Sequence, residues 1–288
     1  MVAVLFAALA GALFGALAVA VRSGLARRAD PLAGALVVTA VALAVSAVLA
    51  APSAVGGFRP GDLWPFLLAG AIVPGVSQIL FIFSVRYAGP SRAAILIGTA
   101  PLISVLLALV FLDEPFRPEL LAGTVLVVAG GAALARERVR PEHFRVLGAA
   151  LALTCAVLFA VRDNVVRWAA RDTHPPALVA STAALLAATA FVLAYLLLVR
   201  RKALAARLRP ALPAFAAAGL ALGLAYASLL EAFDRGRVSV VAPLNATQSL
   251  WAVVLSAALI GRAEAIGKRT VLAGLLVVAG GAIIGAVR

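Results

Sequence analysis

"LVVAGGA", residues 126–132, returns unchanged at residues 276–282, an offset of 150. A single apolar heptapeptide could recur by chance in an alanine-rich chain, but its surroundings recur with it. Glu114 and Glu264 share the same offset, each placed after one apolar run and before the next. "RYAGPSRAAILIGTAPLISVLLALVFLDEPF" in the first half answers to "FDRGRVSVVAPLNATQSLWAVVLSAALIGRAE" in the second. The openings correspond too: "LFGALAVAVRSGLARRADP" from Leu13 and "LFAVRDNVVRWAARDTHP" from Leu158.

Outward from these landmarks, apolar runs occupy 2–21, 32–51, 63–85, 93–112, 119–135, 146–168, 176–199, 211–232, 238–260 and 269–287. A helix crossing hydrocarbon needs about 20 apolar residues, and each run is close to that length. The reading is an all-α polytopic membrane protein of ten transmembrane helices, five in residues 1–138 and five in residues 145–288. An odd number of crossings sends the second unit into the membrane from the opposite side. Two such units form an inverted repeat, a construction common among secondary transporters.

Composition agrees. Of 288 residues, 64% are hydrophobic and 13% charged, where a soluble domain carries about one quarter charged. Mean hydropathy is +1.10. The runs consume nearly the whole chain and leave no room for a soluble catalytic domain. The net charge of +13 does not mark a nucleic-acid partner, because Lys and Arg lie in the breaks between runs and build no basic face with interleaved aromatics. Cys155 has no partner for a disulfide and reads as core packing. His143 and His174 sit in separate breaks, so no metal site or other cofactor is expected. The first run has no basic residue before it and Arg22, Arg27 and Arg28 after it, which reads as a retained helix and not a cleaved signal.

Candidate site residues are the polar exceptions inside the runs. "AVLFAVRDNVVRW", 156–168, sets Arg162, Asp163 and Asn164 within an apolar segment. An ionised side chain at membrane depth costs at least about 2.5–3.5 kcal/mol and normally faces a pocket or a partner. Asp163 and Arg167, four apart, can pair on one helix face. Arg162 points elsewhere, and its expected protein partner is Glu231 of the eighth run, with Tyr226 and Ser228 nearby on that run. Glu231 is the expected proton-coupling carboxylate. Pro74, Pro101 and Pro243 each remove a backbone donor inside a run, and polar groups gather beside them: Ser77 and Gln78, Thr99, then Asn245, Thr247 and Gln248. Broken helices survive at membrane depth where they line a cavity or are buried in protein. The expectation is a water-accessible polar centre lined by runs 1, 3, 4, 6, 8 and 9. There Arg162, Asp163, Asn164, Gln78, Tyr226, Asn245 and Gln248 would hold a small polar solute. Glycine pairs four apart, and Gly130-Gly131 with Gly280-Gly281, read as close helix packing.

The combination "TAPLISVLLALVFLDEPF…LLAGTVLVVAGG" at 99–131, "RGRVSVVAPL" at 235–244 and "GRAE…VLAGLLVVAGG" at 261–281 resembles the EamA branch of the drug/metabolite transporter superfamily across essentially the whole chain. The resemblance implies a gradient- or proton-driven carrier, often an exporter of amino acids or other small metabolites, in the cytoplasmic membrane, as a monomer or homodimer. The usual Trp-Gly pair of that family's first helix stands here as Phe14-Gly15 and Phe159-Ala160. A passive facilitator is the alternative within transport. A membrane-embedded lipid-modifying enzyme would need a catalytic base or metal cluster that the motifs do not provide. Most of the 25 Lys and Arg fall in the odd-numbered breaks, which the positive-inside rule places in the cytoplasm with both termini outside. The family resemblance implies the reverse orientation.

Overall fold

The computed structural model describes residues 2–54, 57–100, 102–103, 107, 119–135, 144–169, 173, 175–200, 204–235, 241, 244–245, 247–261 and 266–287. Some side chains within its helices, those of Asp163 and Asn164 among them, lie outside that description. Helix dominates, as it must where lipid offers backbone groups no hydrogen-bond partner. The elements are α1 (Val2–Ala26), α2 (Pro31–Ala54), α3 (Trp64–Gly70), α4 (Ser77–Ala88), α5 (Pro90–Ile97), α6 (Glu119–Ala135), α7 (Val146–Ala169), α8 (Ala177–Arg200), α9 (Leu204–Arg235), α10 (Gln248–Leu259) and α11 (Lys268–Val287). Among the described residues, five segments are long and apolar enough to cross a bilayer: Val2–Ala26, Pro31–Ser53, Pro60–Ala88, Ala177–Val199 and Leu204–Arg235. The outer faces of the bundle are greasy, with Leu5, Val48, Leu198 and Leu259 all exposed. A water-facing surface would not tolerate this over so many helices.

Local chemistry sets the turns. Asp30 caps α2 by accepting the N–H groups of Leu32 and Ala33, both at 3.0 Å, and Pro31 supplies the first helical residue. The other oxygen of Asp30 takes Arg207 of α9 at 2.8 Å, and Arg27 donates to the Pro213 carbonyl at 3.0 Å. The α1–α2 turn is thereby tied to the start of α9. A second tie joins two more odd-numbered breaks: the Arg145 N–H donates to the Tyr87 carbonyl at 2.7 Å, and the Arg145 guanidinium lies 5.3 Å from the Tyr87 ring centroid. Gly89, at φ 87°, makes the turn from α4 into α5, where Pro90 begins the helix.

The packing between halves is reciprocal. α1 packs on α9, and α7, which corresponds to α1, packs on α4. α2 packs on its counterpart α8, α5 on α10, and α6 on α11. The α6–α11 contact repeats at single-residue resolution. A Cβ at Gly130 would lie 2.8 Å from the Val277 side chain and 2.9 Å from the Ala273 carbonyl; one at Gly280 would lie 2.7 Å from the Val127 side chain and 2.6 Å from the Gly123 carbonyl. Positions 123, 127 and 130 of α6 become 273, 277 and 280 of α11 on adding 150, so the two contacts exchange the same positions between the helices. Position 130 meets 273–277 while 123–127 meets 280, so the numbering falls on one helix as it rises on the other. The two copies of "LVVAGGA" therefore lie antiparallel across a local two-fold axis.

A second reciprocal contact exposes an asymmetry. Gly219 and Gly223 of α9 press on Val38 and Val41, then on Ala42 and Val45, of α2. In the other half Gly70 presses on Ala184 of α8, and Gly75 lies in ordinary van der Waals contact with Ala188 and Phe191 of the same helix. The docking positions correspond, since Ala42 and Ala188 share an offset of 146 with Val45 and Phe191. The glycines do not, because one pair is four residues apart and the other five. The surplus residue is absorbed in Ala71–Val76, a wider π-type turn in which Val73 is extended at φ −137°, ψ 112°. Run 3, read from sequence as one helix containing a proline, is thus two helices joined by a built-in break.

Close approach at Gly70 is the most demanding of these contacts, because a Cβ there would collide with the Ala184 backbone. Gly70→Ala should lower the thermal midpoint of the detergent-solubilised protein by roughly 3–10 °C, as overpacking does. Gly61→Ala, where a Cβ meets nothing within 4 Å, should leave it unchanged. Equal midpoints would mean that α3 does not dock on α8 in this register.

Candidate functional site

The break in run 3 leaves a particular group behind. Ser77 is the residue whose N–H would ordinarily bond the Val73 carbonyl. Instead it donates to the Ile72 and Pro74 carbonyls, because the π-type turn shifts the ladder. The Val73 carbonyl takes the hydroxyl of Tyr226, from α9, at 2.9 Å. The same tyrosine oxygen accepts from Arg162 of α7 at 2.9 Å. Arg162 also stands 5.3 Å from the ring centroid of Phe159, one turn back on its own helix. Tyr226 meets Phe14 of α1 edge to face, with centroids 6.1 Å apart.

These groups border a cavity of about 30 Å³, room for roughly two waters. Its walls come from α1, the Ala71–Val76 turn with α4, α5, α7, α9 and α10. Those are the six runs expected from sequence. Its character is less polar than expected. Phe14, Leu17, Phe81, Ile97, Phe159 and Leu222 make most of the surface, and Ser77, Gln78, Tyr226 and Gln248 supply the polar atoms. Where a water-accessible polar centre was expected, the structure has a small, mostly apolar cavity with a few convergent polar groups, the usual make-up of a small-molecule site.

Each expected site residue has a definite place. Gln78, 3% exposed, lines the cavity, and its amide nitrogen is buried with no hydrogen-bond partner. Tyr226, also 3% exposed, and Gln248 line it as well. Arg162 reaches the wall through Tyr226. Asn245 does not line it. That residue lies on the segment against Gly11 of α1, and its side-chain oxygen is buried without a partner. Thr99 turns its hydroxyl back to the Leu96 carbonyl at 2.7 Å. Asp163 and Asn164 lie outside the described side chains, as do Pro101, Pro243 and Arg167. One pairing is corrected: Glu231 binds Arg235, one turn along the same helix, at 2.6 Å, and not Arg162. The i, i+4 spacing makes that local pair easy to form.

Three features escaped the sequence reading. Phe14 and Phe159 were noted only as departures from a family pattern, yet both line the cavity, one from each half. The Val73 carbonyl is a backbone group and carries no residue-type signal; Pro74 beside it was the available clue. Arg92, counted as a loop charge, is 2% exposed in the first turn of α5. The apolar residues that follow "PSR" hide that burial, because a run boundary drawn at the first charge places the charge outside.

Comparison with known proteins fits this geometry. The EamA-like transporter family matches the chain twice, over residues 1–135 and 146–286, and the chain belongs to that family. A protein of Streptantibioticus cattleyicolor named "Probable terminal-alkyne amino-acid exporter" is 36% identical over 100 residues. The matched segment covers 35% of this chain, which spans about a third (33%) of that relative's length. A solved crystal structure of a protein at 22% identity superposes with a TM-score of 0.66, covering 98% of this chain and 95% of the other. At that identity the likeness is one of fold. The chain is a multi-pass membrane protein of a transporter family.

Cys155 offers a check on the cavity's back wall. It is fully buried on α7, with its sulfur 3.6 Å from the Ser77 carbonyl. A water-soluble maleimide should leave the folded protein unlabelled and should modify one thiol per chain after denaturation in dodecyl sulfate. Fast labelling of the folded form would show that α4 and α7 do not pack as described.

Proposed function

We propose that this chain is a secondary active transporter exporting a small polar, amino-acid-like solute that bears an apolar side chain across the cytoplasmic membrane, driven by a proton gradient. In this reading residues 1–138 and 145–288 are two inverted five-helix repeats, and the solute site lies between them. The antiparallel contact of the two "LVVAGGA" copies supports the inversion. The ties linking the odd-numbered breaks, together with their arginines, support a cytoplasmic position for those breaks.

The observation that carries the reading is the amide nitrogen of Gln78, a buried donor without a hydrogen-bond partner on a residue that lines the cavity. An unmet donor in an apolar wall is costly, roughly 1–3 kcal/mol, and a ligand acceptor relieves it. A carboxylate suits it best, because Arg162 stands one hydrogen bond behind the same wall. The aromatic and aliphatic lining suits an apolar side chain. The name of the relative, an amino-acid exporter, points the same way. Gln248 would supply a further polar contact. Asn245, away from the lining, is assigned to holding the α10 approach to α1. Asp163 and Asn164 stay assigned to solute recognition beside Arg162. Glu231 is the coupling carboxylate: it is 14% exposed on the cavity helix, and its partner Arg235 is 51% exposed, so solvent can take the partner when the proton arrives.

The test uses the full chain in proteoliposomes. An imposed pH gradient should drive L-leucine uphill, and collapsing the gradient should leave simple equilibration. Equilibration alone under both conditions would replace the carrier with a facilitator. Gln78→Leu should raise KM roughly three- to tenfold, and Arg162→Gln roughly 10- to 100-fold, following the loss of a neutral and a charged hydrogen bond. Glu231→Gln should retain exchange down a gradient and lose proton-driven accumulation.

A further inference from the structure

Two arginines that the cavity does not use sit around one ring. Tyr87 lies in the last turn of α4, and the guanidinium carbon of its neighbour Arg86 is 5.6 Å from the Tyr87 ring centroid. Arg145, the residue before α7, places its own guanidinium carbon 5.3 Å from the same centroid. It is fastened there by its backbone N–H, which donates to the Tyr87 carbonyl at 2.7 Å. Gly148, at the start of α7, packs so closely on α4 that a Cβ would lie 2.6 Å from the Ala88 nitrogen. Backbone contact therefore sets the three side chains together, while Arg86 and Arg145 both stay exposed.

A ring face attracts a guanidinium but leaves its in-plane N–H donors without an oxygen. Other arginines of the odd-numbered breaks have one: Arg207 pairs with Asp30, and Arg27 donates to the Pro213 carbonyl. Among the described residues, the Arg86 and Arg145 side chains contact the Tyr87 ring and no hydrogen-bond acceptor. Their setting is the membrane boundary. Arg86 lies near the end of Pro60–Ala88, a segment long and apolar enough to cross a bilayer. Phe83, one turn deeper on α4, stacks on Tyr87 with centroids 6.1 Å apart. Val146 and Leu147, which follow Arg145, are 72% and 54% exposed. Cations, then aromatic rings, then bare aliphatic surface follow the order of a phospholipid from its phosphate to its acyl chains.

We propose that Arg86 and Arg145 bind the headgroup phosphate of an anionic phospholipid, with Tyr87 as the platform that orients both cations. Phosphate oxygens match the donor fork of a guanidinium. An anionic lipid carries no headgroup ammonium to compete for them, and its acyl chains lie along Val146 and Leu147. Arg86 comes from the first half of the chain and Arg145 from the second, so the bound lipid fastens the end of α4 to the start of α7. Both of these helices wall the cavity. The assignment requires a membrane-embedded chain and is independent of the solute it carries.

The test uses the full chain, purified in dodecyl maltoside and stripped of lipid. Its thermal midpoint is followed as phosphatidylglycerol, phosphatidylcholine of the same acyl chains, or sodium phosphate is added. Phosphatidylglycerol should raise the midpoint saturably, and the other two should not. Arg86→Gln and Arg145→Gln should each raise the half-saturating phosphatidylglycerol concentration roughly fivefold, the effect of one cation beside anionic lipid. Tyr87→Leu, which keeps both charges and removes the platform, should weaken binding as much. Arg209→Gln, which removes an exposed cation of α9, should leave the titration unchanged. Native mass spectrometry of the same samples counts bound lipid directly, so a variant of lowered basal stability is still read. Parent-like titration and lipid retention in both the Arg86 and Arg145 variants overturn the proposal, as does an Arg209→Gln effect equal to theirs. Equal stabilisation by phosphatidylcholine removes the preference for anionic lipid. Stabilisation by sodium phosphate alone makes this a site for a soluble anion and removes the lipid. Undiminished binding in Tyr87→Leu removes the platform.

Discussion

A backbone carbonyl inside a bilayer must find a donor, and at Val73 the helix does not provide one. This constraint organises the site. The donor has to come from another element and has to reach a turn wrapped by apolar side chains. A tyrosine on a packed helix meets both needs, because its ring is buried like any hydrophobe while its hydroxyl sits at the tip. Once Tyr226 is committed to Val73, its oxygen still has acceptor capacity, and a charged residue at the same depth can use it. Arg162 at membrane depth thereby gains a hydrogen bond to the tyrosine oxygen. The break, the tyrosine and the arginine form a chain of dependence: without the break neither of the others would have this partner.

The scaffold that permits this is nearly symmetric and built of small residues. With no hydrophobic drive separating helix from lipid, helices associate through close packing, and small side chains let backbones approach. Phe215 shows the other half of that logic. It is fully buried, and its ring lies where Cβ atoms on Gly24 of α1 and Gly34 of α2 would stand. One large side chain keyed between two glycines locks three helices. Against this background a single surplus residue has a large effect, because a two-fold scaffold supplies an identical reference on the other side. The site is asymmetric where the scaffold is not.

The all-helical, two-repeat character of the fold was legible in sequence because its determinants are patterns: run length, punctuation and a repeat at fixed offset survive without coordinates. The six wall-forming runs were legible for a related reason, since prolines and clustered amides inside apolar runs have few other uses. Partnership was harder to read. Glu231 and Arg162 looked matched by charge, yet a residue one turn away on the same helix reached Glu231 first. The Gly70–Gly75 surplus shows only when both docking partners are known, because neither glycine pair is unusual alone. Arg92 misled because charge was taken as a sign of exposure. In a bundle this tightly packed a guanidinium can be buried just inside a helix start, and only contacts reveal it.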